Sequence, residues 1–459
     1  MAIKLPSLEE SLPKHKDLFY GGKWQLPKSG IFQDTYNPGN GMVIGKIGQA
    51  GEEDVEEAIL AADAAFDSWK STSPSQRLAL LDAYNTGNPV VKMLSDANVA
   101  DANMDYFAGL IPMTKGETIP QAEDHFHYTL REPLGMVSSI IAFNHPVMFA
   151  GAKMAAPLAA DNTVIIKPPD QPPLSCLRLA EILGDVFRPG VVNVMLGGRE
   201  SLIGSVPTGK AIARTAADAL KPTLLEFGRK NALIAFPDAD IDKLAVGVAK
   251  GIDFTWTGQS CGSASRVFLH DLIHDEVLEK RAVLRAFRLL STTMGLVISK
   301  TAQDRVLWYI LWYIKDARHE GAKLVCGGKV PEGINSITGV CFIEPTIFSE
   351  VRPEMRIARD EIYGPVMSVF RWTDEAQMLR DVNNTAYGLT ASIFTKDMAT
   401  AQKAVKQIQA GYVWVKQVGR HFLRVPFGGY KESGGGQEES LDELLSFTQI
   451  KSVNVSFAS

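Results

Sequence analysis

Cys261 lies in the run Gly258-Gln259-Ser260-Cys261-Gly262-Ser263, among glycines and small residues. Upstream, Glu226 closes the apolar stretch Leu224-Leu225 and is followed by Phe227-Gly228. A soft sulfur nucleophile and a carboxylate proton acceptor are what thiol attack on a carbonyl needs, followed by base-assisted hydrolysis of the acyl-sulfur product. A lone cysteine is more often a buried, inert thiol, so on these residues alone both readings stand.

Length and composition set the frame. At 459 residues, 46% hydrophobic and 22% charged, the chain holds two or three domains of ordinary globular composition. A net charge of -5 offers no electrostatic reason for a nucleic-acid or anionic-membrane partner. Cys176, Cys261, Cys326 and Cys341 show no CxxC pairing. That fits a reducing compartment and argues against a disulfide framework or a zinc site. The histidines form no ligand-spaced cluster, so no metal is expected; His125 and His127 alternate along a strand-like segment. The N-terminus lacks a basic region followed by an apolar run, and the most apolar helical stretch, 147–160, contains Lys153 and is too short to span a bilayer. A cytoplasmic enzyme is expected.

The elements that must position Cys261 and Glu226 alternate in type. Strands are predicted at 135–142, 162–166, 190–196, 223–226 and 232–236, with helices at 147–160, 173–187 and 210–220. Strands alternating with helices of about a dozen residues mean βαβ units and a parallel, doubly wound sheet. After Cys261 the pattern resumes, with strands at 266–270, 366–371 and 390–394 and helices at 306–319 and 398–409. A second α/β domain therefore carries the cysteine at its entrance. Two segments, 124–131 and 447–456, read as strands with one wet face, either pairing across a subunit boundary or forming ordinary edge hairpins.

Further motifs complete a pattern: Ala142-Phe143-Asn144-His145-Pro146, Lys167-Pro168-Pro169-Asp170, Glu361-Ile362-Tyr363-Gly364-Pro365, and Pro426-Phe427-Gly428-Gly429-Tyr430-Lys431. With Leu225-Glu226-Phe227-Gly228 and Gln259-Ser260-Cys261 they resemble, in order and across almost the whole chain, the motifs of the NAD(P)-dependent aldehyde dehydrogenase superfamily. The text is most similar to its betaine-aldehyde-dehydrogenase-like branch.

The resemblance implies a role for each residue. Cys261 attacks the aldehyde as thiolate, the Asn144 amide and the Cys261 N–H receive the oxyanion, and Glu226 activates the hydrolytic water. Gly204, Ser205 and Gly209 resemble the glycine pair before a helix N-terminus that faces the cofactor pyrophosphate. Lys167 and Asp170 fall at adenosine-ribose positions; a carboxylate at Asp170 repels a 2′-phosphate and favours NAD over NADP. Glu361 resembles the residue that holds the nicotinamide ribose, with Tyr363 and Phe143 nearby. Glu438 matches a secondary proton-relay position, or is a solvated carboxylate at a helix start. Phe143, Trp256, His421 and Phe422 suggest an apolar or aromatic-compatible entrance.

Several positions depart from the family. Arg229 stands where a second glycine is usual, and its guanidinium either pairs with Glu226 or swings into solvent. Lys416 replaces an asparagine and Gln437 an arginine. Against the family, helical segments are missing near 76–85 and 198–201, and a turn rich in Gly and Pro is shortened near 289–291. From Leu196 to Gly204 the chain is too short for a crossover between parallel strands.

The expectation is an α/β, aldehyde-dehydrogenase-like fold. A Rossmann-type cofactor domain (1–120 and 139–227) joins an α/β catalytic domain (228–432) and a small β oligomerisation element (121–138 and 433–459). The chain would form a homodimer or homotetramer and oxidise a small aldehyde to an acid with NAD(P). The rival is a catalytically impaired relative acting as a binding or structural protein, motivated by Arg229, Lys416 and the missing segments.

Overall fold

Apolar runs without polar alternation belong inside a sheet covered on both faces. Thr163–Lys167, Ala232–Ala235 and Thr390–Phe394 are such runs, and every residue in them is buried. The computed structural model describes residues 12–36, 42–71, 93–169, 173–197, 206–254, 258–280, 300–331 and 343–457.

Two sheets carry most of the chain. The first has the order Lys23–Gln25, Leu18–Tyr20, Val192–Val194, Thr163–Lys167, Met136–Ile140. The last three strands run parallel. The helices Pro146–Ala159 and Leu174–Val186 supply the crossovers that parallel pairing requires. Beyond Val192–Val194 lies Leu18–Tyr20, antiparallel, with Phe19 opposite Val194. The neighbour on that side among the described residues is thus an N-terminal strand. The expected missing segments lie outside the described residues, as do Asp170, Gly204, Ser205, Trp256 and Cys341.

The second sheet has the order Lys323–Cys326, Thr346–Ser349, Val366–Trp372, Arg266–His270, Ala232–Ala235, Thr390–Phe394, Tyr412–Val415. All neighbours are parallel except Lys323–Cys326 against Thr346–Ser349. Separate apolar clusters cover its two faces, one built on Ile234, Phe268 and Phe348, the other on Leu233, Val267 and Val369. Aspartates start its helices: Asp240 accepts from Lys243 N at 3.2 Å, and Asp397 from Ala399 N and Thr400 N at 3.1 and 3.0 Å. The helix expected over 398–409 ends at Val405. The Asn383 amide captures the backbone just beyond, donating to Gln407 O and accepting from Gln409 N, both at 2.8 Å.

The two wet-faced segments pair with each other. His125–Pro133 and Thr448–Ser456 form one antiparallel ladder, with Thr118–Ile119 on the far side of the former. Thr448–Ser456 is left at the sheet edge, and its Ile450 is 61% exposed.

One side chain joins this ladder to the first sheet. Buried Asn162 donates to Pro157 O, Ala160 O and Phe447 O at 3.1, 3.1 and 3.0 Å, while its Oδ1 accepts from Gly135 N at 2.9 Å. Asn162→Leu leaves those groups unpaired in the interior and is expected to cost about 2–4 kcal/mol of stability. Urea unfolding measures this; a loss below about 0.5 kcal/mol, the scale of ordinary surface changes, would contradict the bridging role.

Candidate active site

The two sheets meet edge to edge. Asn144 follows Met136–Ile140 and Lys167 ends Thr163–Lys167, both at the C-terminal edge of the five-stranded sheet, where open α/β sheets place ligands. Glu226 and Arg229 precede Ala232–Ala235, Cys261 precedes Arg266–His270, and Glu361 and Tyr363 precede Val366–Trp372. All of these sit at the N-terminal edge of the seven-stranded sheet. Phe143 bridges the seam, its ring edge-on to Tyr363 at 5.7 Å.

The Cys261 thiol lies close enough to the Glu226 carboxylate to feel its charge and packs against Leu389, Tyr412, Trp414 and Phe427. Burial, then the Glu226 charge, push the thiol well above its ordinary value, while Arg229 and Lys153 pull the other way. These surroundings disfavour ionisation of the resting sulfur and place a carboxylate near it. Among the described residues, both Nδ2 and Oδ1 of Asn144 are buried without a hydrogen-bond partner. A buried amide with neither end satisfied is costly and points to a group the site receives in use. His145, the next residue, donates from Nδ1 to Asp96 Oδ2 at 3.1 Å, which ties the Asn144 loop to the Met93–Leu110 helix.

Asn231 is a contributor that the motifs did not reveal. Its Nδ2 donates to Cys261 O at 2.7 Å and Ser263 O at 3.1 Å, while its Oδ1 accepts from Thr390 N at 3.1 Å. The cysteine loop is thereby pinned to two central strands. The only signal in the sequence was a polar residue at the mouth of an apolar strand.

Lys153 is the second such residue, one lysine within the largely apolar Pro146–Ala159 helix. Pro157 has no N–H to give the Lys153 carbonyl, which accepts from Ser139 Oγ at 3.2 Å instead. The ammonium forms a buried ion pair with Glu438 and feels the charges of Glu226 and Glu443. Glu438 is 5% exposed, so its reading as a solvated carboxylate is overturned. Burial first, opposed by Lys153 and helped by Glu226 and Glu443, raises Glu438 to about 8; burial likewise raises Glu443 to about 7. Lys153 thus lies between two carboxylates, paired with Glu438 and within the field of Glu226.

Arg229 follows neither expected course. It is 4% exposed, so it does not enter solvent, and its ion-pair partner is Glu361 rather than Glu226. Its backbone N and one terminal guanidinium nitrogen donate to Glu361 Oε1 at 3.0 and 2.8 Å; the other donates to Gly258 O at 3.2 Å. The guanidinium stacks 4.0 Å above the Tyr363 ring. Tyr363 itself takes the left-handed backbone conformation, φ 53°, rare for a bulky residue and concentrated at functional sites. Gly228 must be glycine here, since a Cβ would lie 2.5 Å from Glu361 Oε2.

Gly209 serves close packing in the Val206–Asp218 helix: a Cβ there would strike the Phe227 ring at 1.7 Å. This seats the helix against the residue after Glu226. Lys167 is buried at its strand end. Both suit the adenosine side of a dinucleotide, whereas Glu361, the candidate for the ribose beside the reacting ring, is already engaged by Arg229. Lys416 also adopts φ 60°, and its ammonium donates to Lys396 O at 3.0 Å, directed away from Cys261. His421 stacks on Tyr412 and Phe427, in the cluster that touches Cys261, whereas Phe422 is 41% exposed beneath Arg420.

A cysteine and a carboxylate at strand ends of the seven-stranded sheet, with a buried unpartnered amide at a strand end of the five-stranded one, mark the seam of two mixed α/β sheets as the candidate active site of an enzyme. Known proteins narrow that class. The sequence model of the "Aldehyde dehydrogenase family" matches residues 24–453. Aldehyde dehydrogenase tropH of Talaromyces stipitatus is 54% identical over 498 positions, covering 99% of this chain and 96% of that protein. That alignment is longer than the 459 residues present here, so the relative has residues opposite gaps in this chain. The NAD+ complex of aldehyde dehydrogenase from Bacillus cereus superposes with a TM-score of 0.91 at 30% identity, over 100% of both chains. An E. coli NADP dependent enzyme does so with a TM-score of 0.90 at 26% identity, over 99% of this chain and 100% of its own. The chain belongs to the aldehyde dehydrogenase family.

The raised carboxyl of Glu438 has a pH signature. The folded state holds its proton more tightly than the unfolded chain, so its stabilising contribution is complete below the ordinary value of 4.5 and is lost as pH rises through about 8. Unfolding free energy should therefore fall across that window, and the fall should be shallower in Glu438→Gln. Equal slopes in the two proteins would contradict a raised, buried Glu438.

Proposed function

We propose that the protein oxidises an aldehyde to a carboxylic acid through a covalent intermediate on Cys261. Family membership makes it an NAD(P)-dependent oxidoreductase of aldehydes; the finer mechanism is our reading. The observation that carries it is the Cys261 thiol beside Glu226, with both polar atoms of the Asn144 amide buried and unpartnered.

Glu226 takes the thiol proton as sulfur adds to the carbonyl carbon. The Asn144 Nδ2 and the Cys261 N–H then hold the resulting oxyanion, in a dry site where such donors count for most. Bound NAD(P) would supply the hydride acceptor, with Lys167 and Glu361 among the residues that would hold it. After oxidation a thioester is left on Cys261, and Glu226 removes a proton from the water that hydrolyses it. The buried pair of Lys153 and Glu438 carries that proton away from Glu226. NAD is preferred over NADP on account of Asp170. The aromatic cluster at Cys261 supports an apolar or aromatic-compatible aldehyde.

The same reading divides the chain into a cofactor domain, a catalytic domain and a β element that joins copies into a homodimer or homotetramer in the cytoplasm. The open edge strand Thr448–Ser456 supports that association. A catalytically impaired relative is the second reading, favoured by one observation, the engagement of Glu361 by Arg229.

NADH formation with a panel of aldehydes tests the proposal. Cys261→Ala should abolish turnover, and Asn144→Ala should lower kcat by about 10²–10³ through loss of one oxyanion donor. Glu226→Gln, which removes the base used both for sulfur addition and for thioester hydrolysis, should lower the single-turnover burst of NADH as well as steady-state turnover. Undiminished turnover in Cys261→Ala would sink the mechanism, and silence in wild-type protein would put the impaired relative first.

A further inference from the structure

Nothing in the chemistry above uses Arg229, yet its guanidinium is among the most completely enclosed charges at the seam. A guanidinium is planar and permanently charged, and it is costly to bury unless paired. Here it lies between the Tyr363 ring at 4.0 Å, Glu361 Oε1 at 2.8 Å and Gly258 O at 3.2 Å. Its Nε has no partner among the described residues. An aromatic face beside a carboxylate and a carbonyl is a slot for a flat cation. The slot adjoins the loop of the nucleophile, since Gly258, whose carbonyl the guanidinium engages, opens the run that carries Cys261.

Any hydride acceptor must reach the carbon bonded to the Cys261 sulfur. An oxidised nicotinamide is itself a flat cation, carried on a ribose whose hydroxyls a carboxylate can accept from. Slot and acceptor agree in shape, charge and place, and a side chain of the same polypeptide fills the slot.

We propose that Arg229 is an internal occupant of the nicotinamide slot, so that the dinucleotide binds first through its adenosine half and seats its ring only once the guanidinium has left Glu361 and Tyr363. The proposal rests on the dinucleotide reading given above. Arg229 is thereby a specificity-determining residue for the cofactor. The free energy of its pairing and stacking is subtracted from the affinity for the whole dinucleotide and leaves the adenosine half untouched.

Calorimetric titration of NAD and, separately, of ADP into wild-type protein, Arg229→Gly and Arg229→Ala tests this without turnover. In the wild type NAD should bind within a few-fold of ADP. In Arg229→Gly, NAD affinity should rise at least tenfold, about 1.4 kcal/mol, with ADP unchanged. Unchanged ADP affinity also shows that the fold is intact; if the glycine variant unfolds, the alanine variant carries the comparison. Equal NAD affinity in all three proteins, or an equal gain for ADP, overturns the proposal. Absence of both NAD and ADP binding from all three soluble proteins removes the dinucleotide reading and the proposal with it, and the loss of ADP distinguishes that failure from a failure of the slot alone.

Discussion

A charge taken out of water must be paired or it unfolds what encloses it, and the seam between the two sheets is arranged around that requirement. Lys153, Arg229 and Lys230 are enclosed there with Glu226, Glu361, Glu438 and Glu443. Lys153 takes Glu438 and Arg229 takes Glu361. Lys230 has no such partner among the described residues, and burial, with Arg266 beside it, pushes it down to about 7. Glu226 has no ion-pair partner among the described residues and lies near the sulfur.

Precision at the nucleophile comes from uncharged groups. Asn231 fastens the Cys261 loop with three hydrogen bonds while marking the start of a central strand. Gly209 and Phe227 interlock closely enough that no side chain fits between them. Parallel strands end in register, so residues distant in the chain, such as Arg229, Cys261 and Tyr363, arrive at one edge together. A site built on strand ends in this way inherits the rigidity of the sheet.

Arg229 sets this chain apart within that arrangement. A glycine at its position would leave Glu361 and Tyr363 open, whereas the arginine supplies both with a partner from within. Stability and cofactor affinity are therefore opposed at one residue, as strained or over-satisfied functional sites often show.

The sequence alone carried the alternation of strands and helices, because buried parallel strands are uninterrupted apolar runs and their crossovers are amphipathic. It also carried the motifs around Cys261, Glu226 and Asn144, which belong to the chain's family, and the two wet-faced strands, although not that they pair with each other. Element ends moved where a side chain such as Asn383 captured the backbone. Lys153 and Asn231 were not legible, since an isolated lysine in a helix or an asparagine before a strand has many ordinary explanations. Only the tertiary structure decided where Arg229 points, that Glu438 is buried and that the surroundings of Cys261 disfavour its ionisation. Those outcomes depend on distance and dielectric between groups far apart in the chain, and neither quantity is written in residue order.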